Sequence, residues 1–268
     1  MPKFFVERYI LESESEIVIT GADKHHMTDV LRMQTGEEAY ISDLSGKTYR
    51  CVLSSYDTDK AVLVIIERLG SSNEPVFSIK VFQGLPKSDR MDTVVRDCTQ
   101  LGASMIIPVI CSRSVSRIRD DADAHKKTER WQKIALEAAK QCGRDRVPVV
   151  GRPVSFKEAV KLASQSEVRF IPWECEDSLS LKAYLKRIDG NCCCTSKDPQ
   201  TADISFIVGP EGGFDASETE LAVSSGIMTV SLGKRILRTE TASPAVLAML
   251  LYEFEMDDGS DGSDPGNA

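Results

Sequence analysis

Residues 204–214 read Ile204-Ser205-Phe206-Ile207-Val208-Gly209-Pro210-Glu211-Gly212-Gly213-Phe214, an apolar β-branched run that ends in a turn with three glycines. A short apolar run closed by Gly or Pro is the pattern of a buried strand. Glycines in the turn that follows let backbone N–H and C=O groups approach a ligand with no Cβ in the way. The pattern returns at Met228-Thr229-Val230-Ser231-Leu232, which runs into Gly233-Lys234-Arg235-Ile236-Leu237-Arg238-Thr239-Glu240-Thr241 and then an apolar helix from Ala245 to Tyr252. Two such loops at the carboxyl ends of neighbouring parallel strands define the place where α/β sheets bind small ligands. The Gly209–Gly213 spacing is not that of a dinucleotide fingerprint, and no G-x-x-x-x-G-K-[ST] run occurs in the chain.

GPEGGF followed by LGKRILRTETA resembles the RsmE family, SPOUT-class methyltransferases that act on N3 of a uridine in small-subunit ribosomal RNA. Similar blocks run in family order along the chain: Pro2 to Val6, His25 to Met33, Gly84 to Asp92, Thr99 to Ala103, Ser112 to Val115, Glu129 to Ala135 and Glu137 to Arg144. The resemblance implies an α/β fold with a mostly parallel, trefoil-knotted sheet flanked by helices, preceded by a small PUA-like RNA-binding β-barrel. The knot comes from the resemblance alone, because knots are too rare for periodicity to propose one.

The pattern along the chain fits that division. Residues 1–72 alternate short β-like runs with turns, interrupted by a helical stretch from Lys24 to Arg32 that Asp23 would cap. From residue 76 strands alternate with longer helices, which predicts a parallel sheet covered by helices. The expected domains are therefore 1–72 and 76–256, joined by a Gly/Ser-containing linker near 70–75. An acidic tail, 257–268, is expected to be disordered. Asp215 and Glu218 form a capping-box pattern that starts a helix after the glycine turn. Pro244 is expected in the first turn of the last helix.

Composition narrows the classes. The 268 residues carry 41% hydrophobic and 28% charged side chains, ordinary values for a globular chain. No apolar run spans a bilayer and no signal-peptide pattern opens the chain, so a cytoplasmic protein is expected. The net charge is −8, yet Lys87 to Arg152 holds 14 Lys or Arg against 9 Asp or Glu, a local basic stretch suited to RNA. None of the eight cysteines forms a C-x-x-C pair. The Cys192-Cys193-Cys194 run has no histidine near it, and no metal site is expected.

The resemblance implies that three loops hold S-adenosylmethionine: the segment after Ile171, the Gly209–Phe214 turn and the Leu232–Thr241 loop. Its cofactor-binding residues would be Gly209, Glu211, Gly212 and Gly213 from the second loop. From the third they would be Leu232, Gly233, Ile236, Leu237, Thr239 and Thr241. Methylating uridine N3 requires loss of the imide proton, by a base or with cations that stabilise charge on the ring oxygens. His25, His26 and His125 all lie outside the family-like catalytic blocks. Electrostatic activation by Arg113, Arg144 and Arg238 is the expectation, since an arginine fork suits a uracil oxygen or a phosphate. The implied partners are 16S ribosomal RNA within the small subunit and a second copy of the chain. Two alternatives stay open: a ribose 2′-hydroxyl or tRNA methyltransferase of the same superfamily, and a non-catalytic RNA-binding or ribosome-assembly factor.

Overall fold

The structure, a computed structural model, describes residues 2–6, 10–13, 15–43, 46–70, 73–75, 77–190 and 203–254. The cysteine triplet and the acidic tail lie outside the described residues. By internal contacts the chain divides into two units, Met1–Glu74 with Gln132–Val149, and Pro75–Trp131 with Val150–Ala268.

The first unit contains β1 (Lys3–Val6), β2 (Ile10–Ser13), β3 (Glu16–Thr20), β4 (Glu38–Asp43), β5 (Thr48–Tyr56) and β6 (Lys60–Leu69). They form one mixed sheet in the order β1-β4-β5-β6-β3-β2, in which β1 pairs with β4 in parallel and every other pairing is antiparallel. Alternate residues Ile17, Ile19, Cys51, Leu53, Ala61 and Leu63 share one fully buried core, the period-2 outcome expected of a sheet with one covered face. The expected helix begins earlier than Asp23. Gly21, at φ +67°, turns the chain straight from β3 into α1 (Gly21–His25), which continues as a π-helical turn His26–Val30. Thr20, not Asp23, occupies the N-cap position.

Residues 132–149, within the stretch expected to belong to the second domain, group with this first sheet. Polar contacts tie residues 144–146 to it. Asp145 is buried and accepts hydrogen bonds from Lys3 Nζ (2.6 Å), Thr48 Oγ1 (2.7 Å) and the Asn73 N–H (3.1 Å). Desolvation pushes its carboxyl up, but these donors outweigh it and hold it below the ordinary value. Beside it, Arg144 Nη2 reaches Glu74 Oε2 at 2.6 Å, with side-chain exposures of 5% and 10%. Glu74 Oε1 also accepts the N–H groups of Asp145 and Arg146.

The second unit is built from β7 (Ser78–Gly84), α2 (Arg90–Gln100), β8 (Met105–Ile110), β10 (Val154–Ser155), α4 (Phe156–Ala163), β11 (Val168–Pro172), α5 (Leu181–Gly190), β12 (Asp203–Val208), α6 (Ala216–Ser224), β13 (Met228–Val230) and α7 (Thr239–Phe254). Between these, α3 (Asp121–Cys142) and β9 (Val149–Val150) straddle the division. The sheet order is β10-β8-β7-β12-β11-β13, with each of these neighbours parallel. Ile204 to Val208 is buried throughout, as a central parallel strand covered on both faces must be. The expected strands at 105–110 and 168–172 and the Asp215–Glu218 capping box are present. The last helix differs from expectation: it starts at Thr239, which places Pro244 inside it rather than in its first turn.

A buried arginine paired with one carboxylate is costly to remove, because the partner's charge stays behind. Arg144→Leu is expected to lower the unfolding free energy by about 3 kcal/mol, measured by urea denaturation of the full chain.

Candidate active site

β12 and β13 are not adjacent. β11 lies between them, so three successive strand ends converge on one edge of the sheet. The loops that leave them line a cavity of about 700 Å³, within the range of small-molecule sites. Pro172 to Glu174 with Glu176 and Asp177 come from the first loop, Gly209 to Glu211 with Gly213 and Phe214 from the second, and Ser231 to Thr239 from the third.

Each loop is held by its own bonds. The first is fastened to β13: the Trp173 N–H donates to Val230 O, and the Ser231 N–H donates to Leu179 O. Glu176 finishes that tie, accepting from Ser178 Oγ and N, from Leu179 N and, at 2.6 Å, from Thr229 Oγ1. The Ser178 hydroxyl, then the Thr229 hydroxyl and the backbone donors, hold the Glu176 carboxyl down at about 2. In the glycine turn the Gly213 N–H closes on Pro210 O at 2.9 Å, with Gly213 at φ +66°, a conformation that favours glycine. The turn rests directly on β7. A Cβ on Gly84 would lie 2.6 Å from Pro210 N and 2.8 Å from Gly209 C. Glu211 turns back to accept from the Lys87 N–H (3.0 Å) and Arg90 Nη1 (2.8 Å). Desolvation raises its carboxyl, but these donors prevail and it lies below the ordinary value. The third loop closes on the second: Thr239 Oγ1 donates to Gly209 O at 2.6 Å.

The cavity wall carries Glu174, Glu176, Asp177 and Glu211 against Arg90, Lys234, Arg235 and Arg238. Its charge is balanced rather than basic, which suits a ligand that bears both signs.

Of the residues expected to hold a cofactor, Gly209, Glu211, Gly213, Leu232, Gly233, Ile236, Leu237 and Thr239 line the cavity, while Gly212 and Thr241 do not. Gly212 is pressed against Arg113 instead; a Cβ there would lie 2.9 Å from that of Arg113. Thr241 sits in the first turn of α7, its N–H bonded to Arg238 O. Among the expected arginines, Arg238 lines the cavity and is exposed. Arg113 lies on the outer side of the glycine turn, reaching Gly212 O at 3.3 Å and Asp215 Oδ2 at 3.4 Å. Arg144 belongs to the first unit and is committed to Glu74, which does not fit a nucleotide-contacting role. Sequence reasoning missed Arg90, Glu176 and Asp177. Arg90 sits in a family-like block and so carried a signal, whereas Glu176 reads as an ordinary polar loop residue. Among the described residues, no cluster of His, Cys, Asp or Glu is arranged to hold a metal ion.

A parallel sheet with a glycine-walled cavity at its carboxyl edge, joined to a separate mixed-sheet unit, is the architecture of a two-domain α/β ligand-binding protein. The family profile described as RNA methyltransferase domain matches residues 72–251, and that described as RNA methyltransferase PUA domain matches residues 19–67. This chain belongs to that RNA methyltransferase family.

It is 33% identical to the ribosomal RNA small subunit methyltransferase E of Bacillus subtilis over 96% of this chain and 98% of the relative. The protein of that name from Synechocystis is also 33% identical, over 88% of this chain and 73% of the relative. Among solved structures, the Neisseria gonorrhoeae ribosomal RNA small subunit methyltransferase E bound to S-adenosyl methionine superposes with a TM-score of 0.76. It is 29% identical and covers 95% of this chain and 98% of its own.

Two outcomes follow from the cavity's construction. Gly84→Ala forces the glycine turn off β7, and overpacking of this kind costs about 1–3 kcal/mol; thermal denaturation should show a lowered midpoint. The Glu176 carboxyl is depressed on folding, so its contribution is complete above its unfolded value of 4.5 and is lost as pH falls toward about 2. In urea titrations across that window, the stability gap between wild type and Glu176→Gln should close with falling pH.

Proposed function

We propose that this protein transfers a methyl group to N3 of a uridine in 16S ribosomal RNA, with S-adenosylmethionine as donor. The observation that carries the reading is the cavity formed where three adjacent parallel strands end, in a chain of the RNA methyltransferase family. The residues present fit the donor. The cavity has the volume for it, Gly213 lets the turn pack closely on Glu174, where a Cβ would meet Oε1 at 3.2 Å, and four carboxylates on the wall match a cationic sulfonium. Gly209, Gly213, Leu232 and Leu237 would offer backbone amides and carbonyls to the adenosine, with Glu211, Gly233, Ile236 and Thr239 completing the wall. When bound, the donor supplies an electrophilic methyl group.

The chain's own part is to hold the uracil and ease loss of its imide proton. Arg238, exposed on the cavity loop, is placed to stabilise negative charge on the ring oxygens as N3 loses its proton. Arg113, held against the outer face of the glycine turn by Gly212 O and Asp215, is placed to meet a flanking phosphate. Arg144, paired with Glu74, is left out of this scheme.

The finer reading is a homodimeric, cytoplasmic enzyme that acts on the assembled small subunit, with a PUA-like domain at 1–72 and a knotted catalytic domain at 76–256. The return of α7 from the edge strand β13 to pack on α2, β7 and β12 supports the knotted passage. Met249 and Tyr252, exposed on α7, support a partner surface. No described helix is long and apolar enough to cross a membrane.

Small subunits from a strain lacking its own enzyme, incubated with labelled S-adenosylmethionine and this protein, should yield label in N3-methyluridine on nucleoside analysis. Label in a 2′-O-methylated nucleoside would overturn the assignment of the reacting atom, and no label would leave an RNA-binding protein. Arg238→Ala should lower kcat/KM by about 10²-fold.

A further inference from the structure

We propose that Gln83 is a positioning residue for the ligand cavity, acting through the Thr239 hydroxyl on the carbonyl of Gly209. The inference rests on the reading of that cavity as the methyl-donor site.

Gln83, next to last in β7, is fully buried and does not line the cavity. Its amide is engaged at both ends. Nε2 donates to Thr239 Oγ1 at 2.8 Å and to Gly84 O at 3.0 Å, and Oε1 accepts from Ser243 Oγ at 2.6 Å. The direction of these bonds is forced. Gly84 O can only accept, which places the amide nitrogen on that side. The single hydroxyl proton of Thr239 is spent on Gly209 O at 2.6 Å, so its oxygen must accept a proton from elsewhere. Gln83 supplies it.

The chain of donors therefore runs from Gln83 to Thr239 to Gly209. It joins three segments distant in sequence: the end of β7, the glycine turn and the first turn of α7. Gly209 and Thr239 are cavity wall, whereas Gln83 and Ser243 lie behind it. The neighbouring Gly84 sets the second constraint, since its backbone supports Pro210 with no room for a side chain. Together they fix the separation of two walls of the site from a position the ligand never reaches. A residue in this role governs how well the bound ligand fits, so its loss should raise KM for the donor more than it lowers kcat.

Gln83→Glu replaces the donor by an acceptor and adds a buried negative charge. It preserves the shape of the side chain and the acceptor for Ser243, and removes the N–H groups that reach Thr239 and Gly84. Ser243→Ala removes only the anchor on Oε1. Calorimetric titration of the full chain with S-adenosylhomocysteine, beside urea denaturation, should show Kd weakened about tenfold by Gln83→Glu and about threefold by Ser243→Ala. In methyl-transfer assays Gln83→Glu should raise KM for S-adenosylmethionine about tenfold while kcat stays within about threefold. If Gln83→Glu does not fold, Ser243→Ala carries the test through its own Kd. A folded Gln83→Glu that binds as wild type does, with stability alone reduced, overturns the proposal and leaves Gln83 as packing. Absence of binding by the wild-type protein overturns the cofactor reading and this proposal with it.

Discussion

The cavity depends on one short hydrogen bond, from the Thr239 hydroxyl to the Gly209 carbonyl. A carbonyl at the end of a buried parallel strand has no further strand to bond, and leaving it unpaired is costly. In meeting that need, Thr239 draws the start of α7 onto the glycine turn. The third loop must then arch over the edge of the sheet between Ser231 and Arg238, which leaves the space a ligand would occupy. The last helix accepts a proline in its second turn as part of the same arrangement, since its start is set by Thr239 rather than by the helix's own preferences.

The two other loops obey related constraints with different chemistry. The glycine turn is placed by backbone contact, because nothing larger than hydrogen fits between Gly84 and Pro210. The first loop is placed by a carboxylate, with Glu176 collecting donors from its own turn and from Thr229 on β13. The glycine turn thus offers main chain to the cavity, while four carboxylates and four cationic side chains add charge to its wall. Backbone shape and side-chain charge together define the site, with exposed Ile236 on its rim and both signs of charge on its wall.

Local patterns were legible in the sequence wherever one segment determined its own structure. The apolar runs at 105–110 and 168–172 and the Asp215–Glu218 capping box needed no tertiary information. The glycine turn was legible for the same reason, and most of the residues drawn from it and from the following loop line the cavity. What escaped was pairing at a distance. Nothing in the spacing of β12 and β13 shows that β11 inserts between them. The start of α7 was obscured by Pro244, whose local preference yields to a hydrogen bond made with a residue 30 positions away. Arg144 resembled an RNA contact because its partner, Glu74, stands 70 residues earlier. Gln83 gave no signal beyond a polar residue in an apolar strand.

Asp145 has a consequence for synthesis of the chain. Lys3, Thr48 and Asn73 all donate to a carboxylate supplied from more than halfway along the sequence. During translation those donors emerge long before their acceptor, with the start of the other unit made in between. The amino-terminal unit, although first off the ribosome, cannot complete its polar core until residue 145 has cleared the exit tunnel. Vectorial synthesis therefore does not dictate a vectorial order of folding in this protein.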